Sequence, residues 1–215
     1  MRILLTQLRR IGDVITTTPA VRAVRATWQD ATIDYLTESP SDEIFRHNPY
    51  IDNIITIQRR PSFLQYVSLI NSLRANKYDV VIDFFCNPTS AYICFLSGIK
   101  HRVGFHRRVR RHLYTNTVDT RLFPKHQYAG LHKLALVANI GVTPAGFEPE
   151  FFIDDTAQLE ADELLRSLGV REGDLLITMG VVVRHAFRQW PLERFAKVAD
   201  YLIERYNAKI LFIYG

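Results

Sequence analysis

Short β-branched runs recur along this chain, separated by segments of helical periodicity, and that alternation constrains the fold more than any other feature. Arg2 to Thr6, Thr32 to Leu36, Asn53 to Ile57, Asp79 to Asp83 and Arg102 to Gly104 read as strands. Gly12 to Trp28, Phe63 to Asn76 and Pro88 to Leu96 read as the helices between them. A strand-helix-strand order repeated in this way builds an α/β fold: a parallel sheet with helices on both faces. Val80-Val81-Ile82 is apolar without a break, as a strand covered on both sides must be.

A further helix is expected from Gln127 to Ile140, stopped at Gly141. Val142 to Pro149 is then dense in Pro and Gly, which places a domain boundary near residue 150: a lobe over 1–150 and a second region over 151–215. The second region reads as a helix from Thr156 to Leu168, a strand from Leu175 to Met179, a helix from Pro191 to Tyr206 and a strand from Lys209 to Tyr214. Two strands and a helix between them make a single βαβ unit, so the expectation is a truncated second lobe.

The formal charge is +5, from 27 Lys and Arg against 22 Asp and Glu. Six of the 27 (Lys100, Arg102, Arg107, Arg108, Arg110 and Arg111) fall between Lys100 and His112, where no acid occurs; outside that stretch 21 bases face 22 acids. The basicity is therefore one local patch, suited to an anionic partner: a nucleic acid, a phosphorylated lipid or a nucleotide. Aromatic residues are not interleaved with these cations as a base-stacking platform needs, so no nucleic acid is expected. The apolar start Ile3-Leu4-Leu5 is interrupted by Arg9, Arg10 and Asp13 before a signal-peptide core could form, and a cytoplasmic protein is expected. Cys86 and Cys94 stand among apolar or small neighbours without ligand spacing, and read as reduced core thiols with no metal.

Two strand-to-helix loops carry chemistry. Arg2 to Thr6 runs through a short loop into Gly12-Asp13 and a helix, and the loop after a parallel strand's carboxyl end faces the ligand crevice. Asp13 fits a general base accepting a proton from a hydroxyl, though from position alone the commoner reading is a helix cap, with Gly12 supplying a turn. Pro19 lies two turns into the expected helix, so that segment is expected to begin as a looser turn. In the second region, Gly180 to Pro191 places Arg184, His185 and Arg188 in one loop before a helix N-terminus, either a cradle for a diphosphate or a solvated basic loop anchored by Trp190. Asp83, Asn87 and Ser90 read as cleft-lining or capping residues, and His126 and His132 as packed or exposed histidines. The chain has no GxGxxG, GxxxxGK[ST], HExxH or GxSxG pattern, which removes most of the weight from dinucleotide oxidoreductases, P-loop NTPases, zincins and α/β-hydrolases.

Taken in order, several short pieces of the chain resemble one family. They are the opening Arg-Ile-Leu-Leu with Ile11-Gly12-Asp13-Val14-Ile15 and Thr18-Pro19-Ala20, then Asn48-Pro49-Tyr50-Ile51-Asp52, Tyr78 to Asp83, Arg102-Val103-Gly104-Phe105, His132 through Gly141, and Arg188-Gln189-Trp190-Pro191-Leu192-Glu193-Arg194-Phe195. Together they are similar to the ADP-heptose:lipopolysaccharide heptosyltransferases, inverting glycosyltransferases of the GT-B fold with two Rossmann-like lobes.

The resemblance implies an acceptor-binding first lobe with Asp13 as catalytic base. It implies that Arg188, with Arg184, holds the donor's diphosphate without a metal ion or other cofactor. It gives Gly12, Arg102, Arg107, Arg108 and Arg110 to the acceptor surface. The implied partners are ADP-heptose and the anionic lipopolysaccharide inner core, met at the cytoplasmic face of the inner membrane through peripheral association. Val182, Val183 and Arg184 depart from the family's hydroxyl or small residues, and its Asp-Thr-Gly-Pro-x-His type element is missing from the chain. Two other readings stay open: a binding module that keeps the basic surface without transferring anything, and a transferase for another nucleotide sugar.

Overall fold

The computed structural model describes residues 1–124, 127–183 and 186–214. The chain divides into two compact units, Met1–Phe152 and Ile153–Gly215.

The first unit is built on β1 (Arg2–Thr6), β2 (Thr32–Glu38), β3 (Asn53–Ile57), β4 (Val80–Asp83), β5 (His101–Phe105) and β6 (Asn116–Val118). All pairings are parallel, in the order β3-β2-β1-β4-β5-β6. Its helices are α1 (Ile11–Ile15), α2 (Thr18–Thr27), α3 (Phe63–Ala75), α4 (Pro88–Leu96) and α5 (Ala129–Ala138).

Strand alternation divides the core in two. Ile3, Leu5, Ile33, Tyr35, Ile82 and Val103 point to one face, where Val21 and Val24 of α2 and Leu134 and Val137 of α5 cover them. Leu4, Leu36 and Val81 point to the other, under Leu73 of α3 and Ile93 and Cys94 of α4. Both faces are buried, as the unbroken apolar strand β4 required.

The expected helix from Gly12 to Trp28 is two helices. α1 closes after one turn, and the hydroxyls of Thr16, Thr17 and Thr18 donate to the carbonyls of Asp13, Val14 and Ile15 at 2.7, 2.7 and 2.8 Å. Pro19 then sits in the first turn of α2, where its missing N–H costs nothing. β6 was not anticipated: Asn-Thr-Val is three residues long, and only 106–115 cross over from β5, fewer than a parallel connection usually takes. Four of the six basic residues of the run, Arg107, Arg108, Arg110 and Arg111, lie in that crossover.

The second unit comprises α6 (Asp155–Ser167), β7 (Leu176–Gly180), α7 (Leu192–Tyr206) and β8 (Lys209–Ile213), with β7 and β8 parallel. Its buried apolar residues among those described are Met179, Ala199 and Ala208. Asn207 ends α7 in the left-handed conformation, φ 50°, with its N–H on the Ile203 carbonyl. Among the described residues no helix is long and apolar enough to cross a membrane.

Candidate active site

In the first unit's sheet the strand order reverses between β1 and β4, because β2 and β3 lie on one side of β1 and β5 and β6 beyond β4. The carboxyl ends of the two strands that flank such a switch point splay their loops apart and leave a crevice. A cavity of about 240 Å³ lies there, lined by Gln7, Asp13 and Thr16 after β1, Phe84 and Phe85 after β4, Phe105 and Arg107 at the end of β5, Thr120, and His132 and Lys133 of α5.

Asp13 is an exposed residue within the first turn of α1. It does not cap the helix: the capping position is Arg10, whose carbonyl accepts from the Asp13 and Val14 N–H groups at 2.9 and 3.1 Å. Among the described residues the Asp13 carboxylate takes no hydrogen bond or ion pair, so it is open to a ligand. Gly12 is exposed, and nothing lies within 4 Å of where a β-carbon would stand. The unusual backbone falls three and two residues earlier, at Arg9 and Arg10, with φ 66° and 54°. Two consecutive non-glycine residues in that region cost on the order of 1–2 kcal/mol each. Arg9 reaches Glu38 at 3.7 Å; burial pushes that carboxyl up, against the pull of Arg9 and Arg59.

The basic patch separates along β5. Arg102 belongs to the strand's amino half: its Nε donates to the Leu113 carbonyl at 2.7 Å, one Nη donates to the Ile99 carbonyl at 2.5 Å, and the guanidinium lies 5.5 Å from the Phe95 ring centre. It fastens the returning crossover and does not line the Asp13 cavity. Arg107 and Arg108 leave the strand at its carboxyl end and are exposed. Arg107 lines the Asp13 cavity and also a second one of about 260 Å³ formed with His106, Arg108, Thr120 and Arg121. Arg121 is tied to Asp119 at 2.6 Å. Arg110 is half-buried and donates to the Cys86 carbonyl at 3.3 Å, which ties the crossover to the loop after β4.

Asp83 is wholly buried at the end of β4 and faces no cleft. Its Oδ1 accepts from the Phe85 and Cys86 N–H groups at 2.9 Å each, and its Oδ2 accepts from the Tyr114 hydroxyl at 2.7 Å. Burial pushes its carboxyl above the ordinary range, against the pull of those bonds. Asn87 is the cap of α4, accepting from the Ser90 N–H at 2.7 Å. Cys86 and Cys94 are buried free thiols, both pushed up by burial. Among the described residues no group of three or more His, Cys, Asp or Glu could hold a metal ion.

Lys133 and His132 were not expected in the site. The His132 ring tilts against Phe123 at 4.9 Å. Lys133 is 9% exposed, and burial pulls its ammonium from the ordinary 10.5 down to about 8. A signal for it exists in the sequence: Leu136, Val137 and Ile140 stand three, four and seven residues on, so this lysine lies on an apolar stripe.

In the second unit, Arg188 ends a one-turn helix, Ala186–Arg188, after β7, and its guanidinium lies 5.4 Å from the Phe187 ring centre. Gln189 braces the loop, accepting from the Val183 N–H at 3.1 Å and donating to the Val181 carbonyl. Trp190 packs edge-on against Phe195 at 4.8 Å. Pro191 occupies the cap of α7, and Glu193 lies in its first turn. Arg184, His185 and His126 fall outside the described residues.

A doubly wound parallel sheet with an open carboxylate at its switch point, followed by a second βαβ unit with a basic strand-to-helix loop, defines the class: an α/β protein built like the lobes of GT-B transferases. The comparisons agree. A glycosyltransferase family 9 protein from Veillonella parvula superposes with a TM-score of 0.84 at 28% identity, over 100% of this chain and 62% of that one. Escherichia coli ADP-heptose lps heptosyltransferase II matches in fold with a TM-score of 0.77 at 19% identity, over 99% of this chain and 64% of that one. Lipopolysaccharide heptosyltransferase 3 of Escherichia coli K12 is 27% identical over 213 residues, covering 92% of this chain and 59% of that protein. The sequence profile of glycosyltransferase family 9 (heptosyltransferase) matches residues 66–214, more than half of the chain. The chain belongs to that family and is related to the lipopolysaccharide heptosyltransferases; it spans about three fifths of the length of the curated relatives it matches.

Proposed function

We propose that this chain carries the acceptor site and part of the donor site of an inverting heptosyltransferase that moves heptose from ADP-heptose to an anionic inner-core sugar of lipopolysaccharide. The observation that carries the reading is the Asp13 carboxylate, exposed in a 240 Å³ cavity at the switch point that Arg107 also lines.

Asp13 accepts the proton of the acceptor hydroxyl as that oxygen attacks the anomeric carbon from the face opposite the diphosphate, so the configuration inverts and ADP leaves. Arg107, Arg108 and the exposed side of Arg110 meet the acceptor's carboxylates or phosphates, and Gly12 keeps the approach to Asp13 clear of a side chain. Arg188, with Arg184, offsets the charge that develops on the departing diphosphate. In this reading residues 1–150 form the acceptor lobe and 151–215 belong to the donor lobe. The protein works in the cytoplasm, at the inner face of the membrane that carries its acceptor.

The test is calorimetric titration of the chain with a delipidated inner-core oligosaccharide and with ADP-heptose, alongside a transfer assay with Asp13→Asn. Oligosaccharide binding that Arg107→Ala weakens, and transfer that Asp13→Asn abolishes, support the reading. Failure of both ligands to bind overturns the heptose assignment and returns the basic surface to an anionic partner of another kind.

A further inference from the structure

Lys133 lines the crevice. Its ammonium donates to the Gln7 side-chain oxygen at 2.7 Å, in the segment that follows β1, and to the Phe84 carbonyl at 2.5 Å, in the segment that follows β4. The rings of Phe84 and Phe105 lie 5.9 and 5.7 Å from it. Gln7 is itself fixed: its N–H donates to the Leu36 carbonyl at 3.2 Å, its carbonyl accepts from the Thr37 hydroxyl at 2.9 Å, and its amide nitrogen donates to the Leu8 carbonyl at 3.1 Å. An ammonium taken out of water is costly unless its donors are used, and here two of the three are used on the two segments whose divergence makes the crevice.

We propose that Lys133 is a positioning residue for this site: through Gln7 and the Phe84 carbonyl it clamps the β1 and β4 loops at a fixed separation, and so sets where the Asp13 carboxylate stands. The inference deepens the transferase reading and rests on it for the role of Asp13, but the clamp itself is a property of the unliganded chain. The charged and titratable groups that face the ammonium are Asp83 of β4, Cys86 of the loop after it, Asp13 of α1 and Arg107 after β5. The acidic groups favour its charge; Arg107 and burial oppose it.

Hydrogen–deuterium exchange of the whole chain, read on peptides covering residues 7–16 and 84–90, tests the clamp without substrate. In Lys133→Met both segments are expected to exchange at least fivefold faster, with β2 and α2 unchanged. In the unaltered chain, exchange in the same two segments, corrected for its intrinsic base dependence, falls as pH rises from about 8 towards 10.5, because opening returns the amine to water, where it takes up a proton. In Lys133→Met it does not respond, which a residue that only fills space would not predict. Lys133→Arg, which keeps the charge, restores protection at pH 9 in at least one segment. In the transfer assay Lys133→Met lowers kcat tenfold or more and leaves the KM for ADP-heptose within twofold. Equal exchange in the unaltered chain and Lys133→Met, or no difference in their pH response, overturns the clamp. Altered exchange with no oligosaccharide binding by any form of the chain leaves the clamp standing and removes the acceptor-site reading.

Discussion

The Tyr114 ring crosses Gly104 so closely that a β-carbon on the glycine would stand 2.6 Å from it. That approach lets the ring pass under β5 and bring its hydroxyl to the buried Asp83 carboxylate at 2.7 Å. Glycine is required here for space, in a strand interior that a glycine otherwise weakens. Gly104→Ala is expected to destabilise the chain by about 1–3 kcal/mol, since ring or strand must move. Urea denaturation at pH 7 measures it, and a change below about 0.5 kcal/mol would mean that the ring has room to give.

Tyr114→Phe separates the ring from its hydroxyl. The ring would still pack on Gly104, while Asp83 would keep the Phe85 and Cys86 N–H bonds and its interaction with the Ser90 side chain. Leaving a buried carboxylate oxygen without its donor costs about 1–3 kcal/mol. The same denaturation experiment reads this loss.

Arg102 and Arg107 stand five residues apart in the same basic run and are expected to fail in opposite ways. Arg102→Met removes the bonds to the Leu113 and Ile99 carbonyls, so it lowers stability by about 1–3 kcal/mol. Its effect on oligosaccharide affinity should be below about twofold, or ~0.4 kcal/mol. Arg107→Ala alters an exposed side chain and should change stability by less than about 0.5 kcal/mol. It should weaken oligosaccharide binding about 10- to 100-fold, as the loss of a charge-assisted hydrogen bond does. Loss of affinity from Arg102→Met with stability intact would show that the acceptor reaches the amino end of β5.

The contrast between those two arginines marks where sequence reading stops. Strand spacing gave the bounds of β1, β3 and α4 to the residue, because an apolar run or a Pro at the first helical turn is local information. The run from Lys100 to His112 reads as one patch because charge is counted along the chain. β5 then carries its amino half away from the crevice, and pairing with β6, three residues of weak signal, decides which guanidinium is used on carbonyls. Asp13 was legible as a loop carboxylate, but the absence of a capping role was not, because it depends on where α1 starts. The left-handed Arg9 and Arg10 had no signal at all, since neither is Gly or Asn. Lys133 had one, a lysine on the apolar stripe of α5, that becomes meaningful only once β1 and β4 are neighbours.

Lys133 also predicts how stability depends on pH. Its folded-state pKa is depressed to about 8 from 10.5, so between those values the unfolded chain holds the proton and the folded chain has released it. Stability from this group is therefore gained as pH rises from about 8 towards 10.5, and lost as pH falls through 8. At about 1.4 kcal/mol per unit, the interval from pH 8 to 9.5 is worth about 2 kcal/mol. Tyr35, Tyr78 and Tyr114 are pushed up by burial and oppose this trend at higher pH, so the quantity to read is a difference between two proteins that share them. Urea denaturation of the unaltered chain and of Lys133→Met at pH 7.5, 8.5 and 9.5 is expected to show the unaltered chain gaining on the variant at each step. A constant difference across the three would place the ammonium in water and remove the physical basis for the clamp.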